Sequence, residues 1–169
     1  MTISQKILCC ALLAGTTAIT APKANAQTDD DKKFLANAAQ SDRNEIALSE
    51  VAEQKATDPA VKAFAKKMVT EHKQMTDSMK PFAEKWGINP PTGPDSDHQK
   101  ELDKLNGLSG KDFDKEYIDQ MVSDHAKALD AFTDEAKDTK DAKFKAEVLK
   151  GKTHVAAHKN MAYDLKKKL

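Results

Sequence analysis

Cysteine is almost missing from this chain: its two residues, Cys9 and Cys10, are adjacent and lie within the first ten positions. No disulfide can staple the rest, so the fold must rest on its core. Aromatic residues make up 5% of the sequence, and 6 glycines and 6 prolines are all that punctuate 169 residues. With so few turn formers, and few β-branched residues between them, a sandwich or barrel is disfavoured. No apolar run approaches the roughly 18 residues of a membrane span. Charge of neither sign is in excess, since 27 basic residues meet 27 acidic ones. That balance lacks the basic footprint of a nucleic-acid binder or of a protein held on an anionic membrane surface.

What is present begins with an export signal over residues 1–26. Lys6 supplies a positive start, Ile7–Ala14 an apolar stretch, and Ala24-Asn25-Ala26 a small-x-small cleavage site before Gln27. Cleavage there removes both cysteines and leaves 27–169 as a single domain with no transmembrane segment. Removing Lys6 and Lys23 as well leaves 25 basic against 27 acidic residues, a net charge near −2.

Alanine-rich, charged segments predict helix throughout. The breakers are Asp58-Pro59, Trp86-Gly87 with the INPPTGPDS loop, Ser109-Gly110 and the polar stretch 138–140. Ser109 and Asp112 resemble a capping box, and Pro81 predicts a kink near the end of its helix. The expected helices cover 30–56, 59–86, 110–137 and 140–168, with a short one within 97–106. Two- or three-residue connections make the first and last pairs antiparallel hairpins. More than twenty residues join them, enough to run the length of helices about 40 Å long. Two hairpins joined by a long crossover containing a short helix is an all-α, ferritin-like four-helix bundle.

The apolar lines carry an anomaly. MVTEH at Met68–His72 returns as MVSDH at Met121–His125, and each histidine falls where the three-and-four spacing asks for a core side chain. His158, with His154 one turn earlier, lies in the same place on the last helix, and Glu45 on the first, where Phe34, Ala38, Ser41, Glu45, Leu48 and Ala52 share a line. Mid-helix positions meet at one level, so Glu45, His72, His125 and His158 are candidate metal ligands with His154 as an accessory. Three imidazoles and one carboxylate suit a transition metal such as zinc, copper or iron; the nearby methionines would suit Cu(I), but the simpler reading is that they fill gaps in a bundle core. Glu71 and Asp124 precede their histidines and turn about 100° away, which makes them exposed flanks or partners behind the ligands. His98 falls in the crossover and is expected to be solvated. A polar layer that only sets helix packing, in a structural or interaction module of unknown protein partner, is the competing reading. No nucleophile with a partner base and no phosphate loop occurs, which favours binding over catalysis.

FLANAAQSDRNEIALSEVAEQKA, VKAFAKKMVTEHKQM, YIDQMVSDHAKALDAF and HVAAHKNMAYDL together resemble the bacterial family called domain of unknown function 4142. The resemblance spans about 30–166. It implies an exported, ferritin-like helical bundle of the periplasm or outer membrane. Its recurrent polar core positions correspond to Glu45, His72, His125 and His158. The Glu-x-x-His motif of true ferritins is missing, and no established reaction comes with the family.

Overall fold

A computed structural model describes residues 27–169; the expected signal peptide, 1–26, lies outside the described residues. Five helices follow one another: α1 (Asp29–Lys55), α2 (Pro59–Trp86), α3 (Ser96–Gly107), α4 (Gly110–Asp138) and α5 (Ala142–Lys166). Side-chain capping starts four of them. Thr28 and Asp31 form a reciprocal box on α1, with Thr28 Oγ1 accepting from Asp31 N at 3.0 Å and Asp31 Oδ2 from Thr28 N at 2.7 Å. Asp58, Asp95 and Asp141 accept from the first amides of α2, α3 and α5. Asp141 therefore delays α5 to Ala142, two residues later than expected.

The start of α4 corrects one expectation. Ser109 makes no capping hydrogen bond. The chain instead turns into the helix through Gly110 at φ +60°, a left-handed conformation that costs glycine no Cβ clash. α2 continues through Pro81 and ends at Gly87 (φ 71°), as its Trp-Gly pair predicts.

Residues 56–58 and 139–141 close two hairpins, α1–α2 and α4–α5, which form the four-helix bundle. The crossover lays α3 across α1 and α4. Asn44 Nδ2 donates to Asp95 Oδ2 at 2.7 Å, and Lys55 Nζ to the Leu105 and Asn106 carbonyls at 3.0 and 2.7 Å. Buried Asp114, on α4, accepts from Thr57 N, Thr57 Oγ1 and Asp58 N at 3.0, 2.6 and 2.8 Å. One carboxylate thus ties the first hairpin's turn to the second hairpin.

The core is in two parts. Leu48, Val61, Phe64, Met68, Phe113, Tyr117, Met121 and Ala162 fill one end. Leu35, Met75, Met79, Trp86, Phe132, Phe144, Val148 and Val155 fill the other. The histidines lie between these clusters in sequence on each of α2, α4 and α5, so the polar layer separates two apolar blocks. The α1 line is rotated from expectation near its start: Leu35 is buried and Phe34 and Ala38 only partly so. The α5 line frays, with Leu169 exposed. Among the described residues no helix is long and apolar enough to cross a membrane.

Candidate metal centre

α2, α4 and α5 each deliver one imidazole to the middle of the bundle. His72, His125 and His158 are buried, and one ring nitrogen from each lies within 4.8 Å of the others. Their ring centroids are 5.1 to 5.5 Å apart.

Each ring commits one nitrogen to an acceptor. His72 Nδ1 donates to Asp42 Oδ1 at 2.9 Å, and His125 Nδ1 to the Met121 carbonyl one turn back at 2.8 Å. His158 Nε2 donates to Glu71 Oε2 at 2.6 Å. What is left over is unusual. The Nε2 atoms of His72 and His125 face each other at 3.4 Å, and with both rings neutral and their protons on Nδ1, both Nε2 atoms carry lone pairs. His158 Nδ1 is buried without a hydrogen-bond partner. Two lone pairs held at 3.4 Å repel unless a cation lies between them. Two nitrogens on a tetrahedral ion with bonds of about 2.0–2.1 Å would be roughly 3.4 Å apart.

The local field keeps His125 and His158 neutral. Burial, followed by the charges of His72 and His158, pulls His125 down from 6.5 to about 3. Burial likewise lowers His158 to about 4, although its bond to Glu71 works the other way. Partial burial would raise Glu71, but hydrogen bonds from His158 and Lys67 outweigh it and hold the carboxylate at about 2. At neutral pH the layer therefore offers imidazole lone pairs backed by ionised carboxylate, the usual support for a ligating histidine.

The other expected residues are placed differently. Glu45 is buried, and its Oε1 approaches the far nitrogen of His125, Nδ1, at 3.6 Å while Oε2 has no hydrogen-bond partner. It stands beside His125 and outside the group of converging nitrogens. Burial, with the charges of Asp124 and Asp42, raises its carboxyl well above the usual range. His154 is 49% exposed and lies 3.7 Å from Glu71 Oε2; Glu71, His154 and His158 form a second group of potential ligands. Of the two roles expected for Glu71, the structure shows the partner behind a histidine. Asp42 was not anticipated. Its Oδ2 also accepts from Thr76 Oγ1 at 3.0 Å, and its place three residues before Glu45, on the same face of α1, was the available signal. Asp42 and His154 also border a cavity of about 450 Å³, walled by Met75, Met79 and Phe132.

His98 is not the solvated residue expected of a crossover. Its Nδ1 donates to Asp95 Oδ1 at 2.8 Å and its Nε2 to buried Asp124 Oδ2 at 3.3 Å. The bond to Asp124 first, then that to Asp95, raises it to about 9 against the cost of burial. A histidine raised on folding stabilises below its unfolded value of 6.5, and that stability is lost as pH climbs through about 9. Replacing His98 by Asn should remove this alkaline loss, on the order of 1–2 kcal/mol after solvent screening. Urea midpoints at pH 6.5 and pH 9 measure it; equal losses in wild type and variant would refute the assignment.

Solved proteins share this fold. A DUF305 fragment from Deinococcus radiodurans superimposes with a TM-score of 0.70 at 12% identity, covering 84% of this chain and 98% of that one. CopM in its co-crystallised silver-bound form has a TM-score of 0.69 at 20% identity, covering 82% and 96%. Its Cu(I)-bound form has a TM-score of 0.69 at 21% identity, covering 84% and 98%. At such identities the likeness is one of fold. No curated protein matches the sequence significantly. The family profile described as domain of unknown function (DUF4142) matches residues 16–165, and the chain belongs to that family.

Proposed function

We propose that this protein is an exported helical bundle that binds one transition-metal ion between His72, His125 and His158, with metal as its cargo. The observation that carries the reading is the pair of Nε2 lone pairs facing at 3.4 Å beside the unpartnered Nδ1 of His158. Three imidazoles without thiolate suit copper or zinc. Met68 and Met121, buried one turn from His72 and His125, favour copper in its Cu(I) state, and the fold is shared with silver- and Cu(I)-bound CopM. Glu45 contributes a neutral carboxyl beside His125 in this reading. The positive start, apolar stretch and Ala-Asn-Ala site of residues 1–26 support export to the periplasm, where holding copper would serve sequestration or protection of the envelope.

The test is equilibrium dialysis of the mature chain against cupric chloride, with and without ascorbate, followed by elemental analysis. One copper per chain, removable by chelator, is the expected result. A folded chain that retains neither copper, zinc nor iron would leave the layer a device for helix packing, its internal bonds to Asp42, Met121 and Glu71 being sufficient in themselves.

A further inference from the structure

Resting on that reading, we propose that metal reaches the buried trio through an outer site made by Glu71, His154 and His158, and that His158 is the ligand the two sites share. The three side chains grade from solvent to core, at 49% exposure for His154, 20% for Glu71 and 0% for His158. One ligand atom from each lies within 4.8 Å of the others, and the same holds for the inner group. Both groups contain His158, so no gap separates the outer shell from the inner one.

The two nitrogens of His158 explain how one ring serves both. In the metal-free chain Nε2 bonds to Glu71 Oε2 at 2.6 Å and Nδ1 is buried and unpartnered. A metal arriving at the surface binds His154, Glu71 and the Nε2 of His158, and the ring proton moves to Nδ1. Passage inward exchanges the two: Nδ1 takes the metal with His72 and His125, and the proton returns to Nε2 and its bond with Glu71. The ring gains and loses no proton overall. Because a ring that keeps its one proton has a single lone pair, His158 serves one site at a time, the sites fill in turn, and a chain holds one ion. Lys67 pairs with the other oxygen of Glu71, keeping that carboxylate aimed at the histidines while it waits.

The experiment is stopped-flow mixing of the mature chain with cupric chloride, followed by its visible absorption, and release to excess chelator. His154→Ala is the principal variant, with Glu71→Gln beside it. His154 is half exposed and bonds to none of the inner histidines, so His154→Ala is the variant that tests the path alone; Glu71→Gln also removes the carboxylate behind His158 and should weaken binding besides. In His154→Ala uptake and release should both slow severalfold, by the same factor, while one copper per chain is still bound at saturation. Equal slowing is required because an outer stage changes the path and leaves the inner equilibrium alone. Uptake at the wild-type rate, or faster release with unchanged uptake, would overturn the outer site. A wild-type chain that takes up no copper would instead overturn the metal-binding reading itself.

Discussion

Saturating copper should raise the stability of the mature chain, and the His72→Leu, His125→Leu double variant should lose most of that response, keeping only what Glu71, His154 and His158 can hold. An ion that binds only the folded state contributes RT ln(1 + [L]/Kd), about 2.7 kcal/mol at a hundredfold excess over Kd. For a domain of this size that corresponds to a rise in melting temperature of roughly 6–12 °C. The metal-free variant should be as stable as wild type or more so. Each leucine contributes about 1.5–3 kcal/mol by burial, whereas Asp42 loses the His72 bond and keeps Thr76, a loss of about 1–3 kcal/mol. The two facing lone pairs vanish with the imidazoles. Scanning calorimetry with and without copper decides the matter. A double variant that copper still stabilises by the wild-type amount would place the ion elsewhere.

Acid should destabilise the metal-free protein more steeply below pH 4.5 than between pH 6.5 and pH 4.5. His125 and His158 titrate at 6.5 when unfolded but at about 3 and 4 when folded. From 6.5 downward the unfolded chain therefore binds protons that the folded one refuses, and stability falls. Two carboxyls oppose this. Glu45 is raised well above 4.5. Glu135 is raised to about 7 by burial and by Asp31. Both are protonated in the folded state while still ionised in the unfolded one, so folding gains stability as pH drops toward 4.5. Below that value both states protonate these carboxyls and the opposition ends. The histidines continue to destabilise, and Glu71, held at about 2, joins them. Together these groups are worth several kcal/mol. Urea midpoints between pH 7 and pH 3 should show a shallow slope that steepens below pH 4.5. A steady decline starting at pH 6.5 would mean that Glu45 and Glu135 ionise normally.

Much of this architecture could be read from local chemistry. Asp58-Pro59 and Trp86-Gly87 bound α2 where expected, because a cap, a proline or a glycine acts through its own turn of backbone. Spacing of three and four placed His72, His125 and His158 inward, and all three are buried. Where the local pattern weakened, the reading slipped: α1 carries Asp42, Asn44, Glu45 and Ser49 on its buried side, so its inward line could not be drawn by polarity. Ser109 failed as a cap because Gly110 adopts a positive φ, a choice that glycine permits without announcing.

The sequence by itself determined that the chain is helical, that its helices pair as two hairpins, and that three histidines replace core side chains at mid-helix, since helical period and breakers act within a few residues. Only the tertiary structure decided that His72 and His125 turn their Nε2 atoms toward each other. It turned Asp42 and Glu71 behind His72 and His158, set Glu45 against the far nitrogen of His125, and drew His98 between two aspartates. Those outcomes depend on the axial rotation and relative height of packed helices. A single residue's step turns a side chain by about 100°, and no helix carries within its own pattern the position of the one beside it.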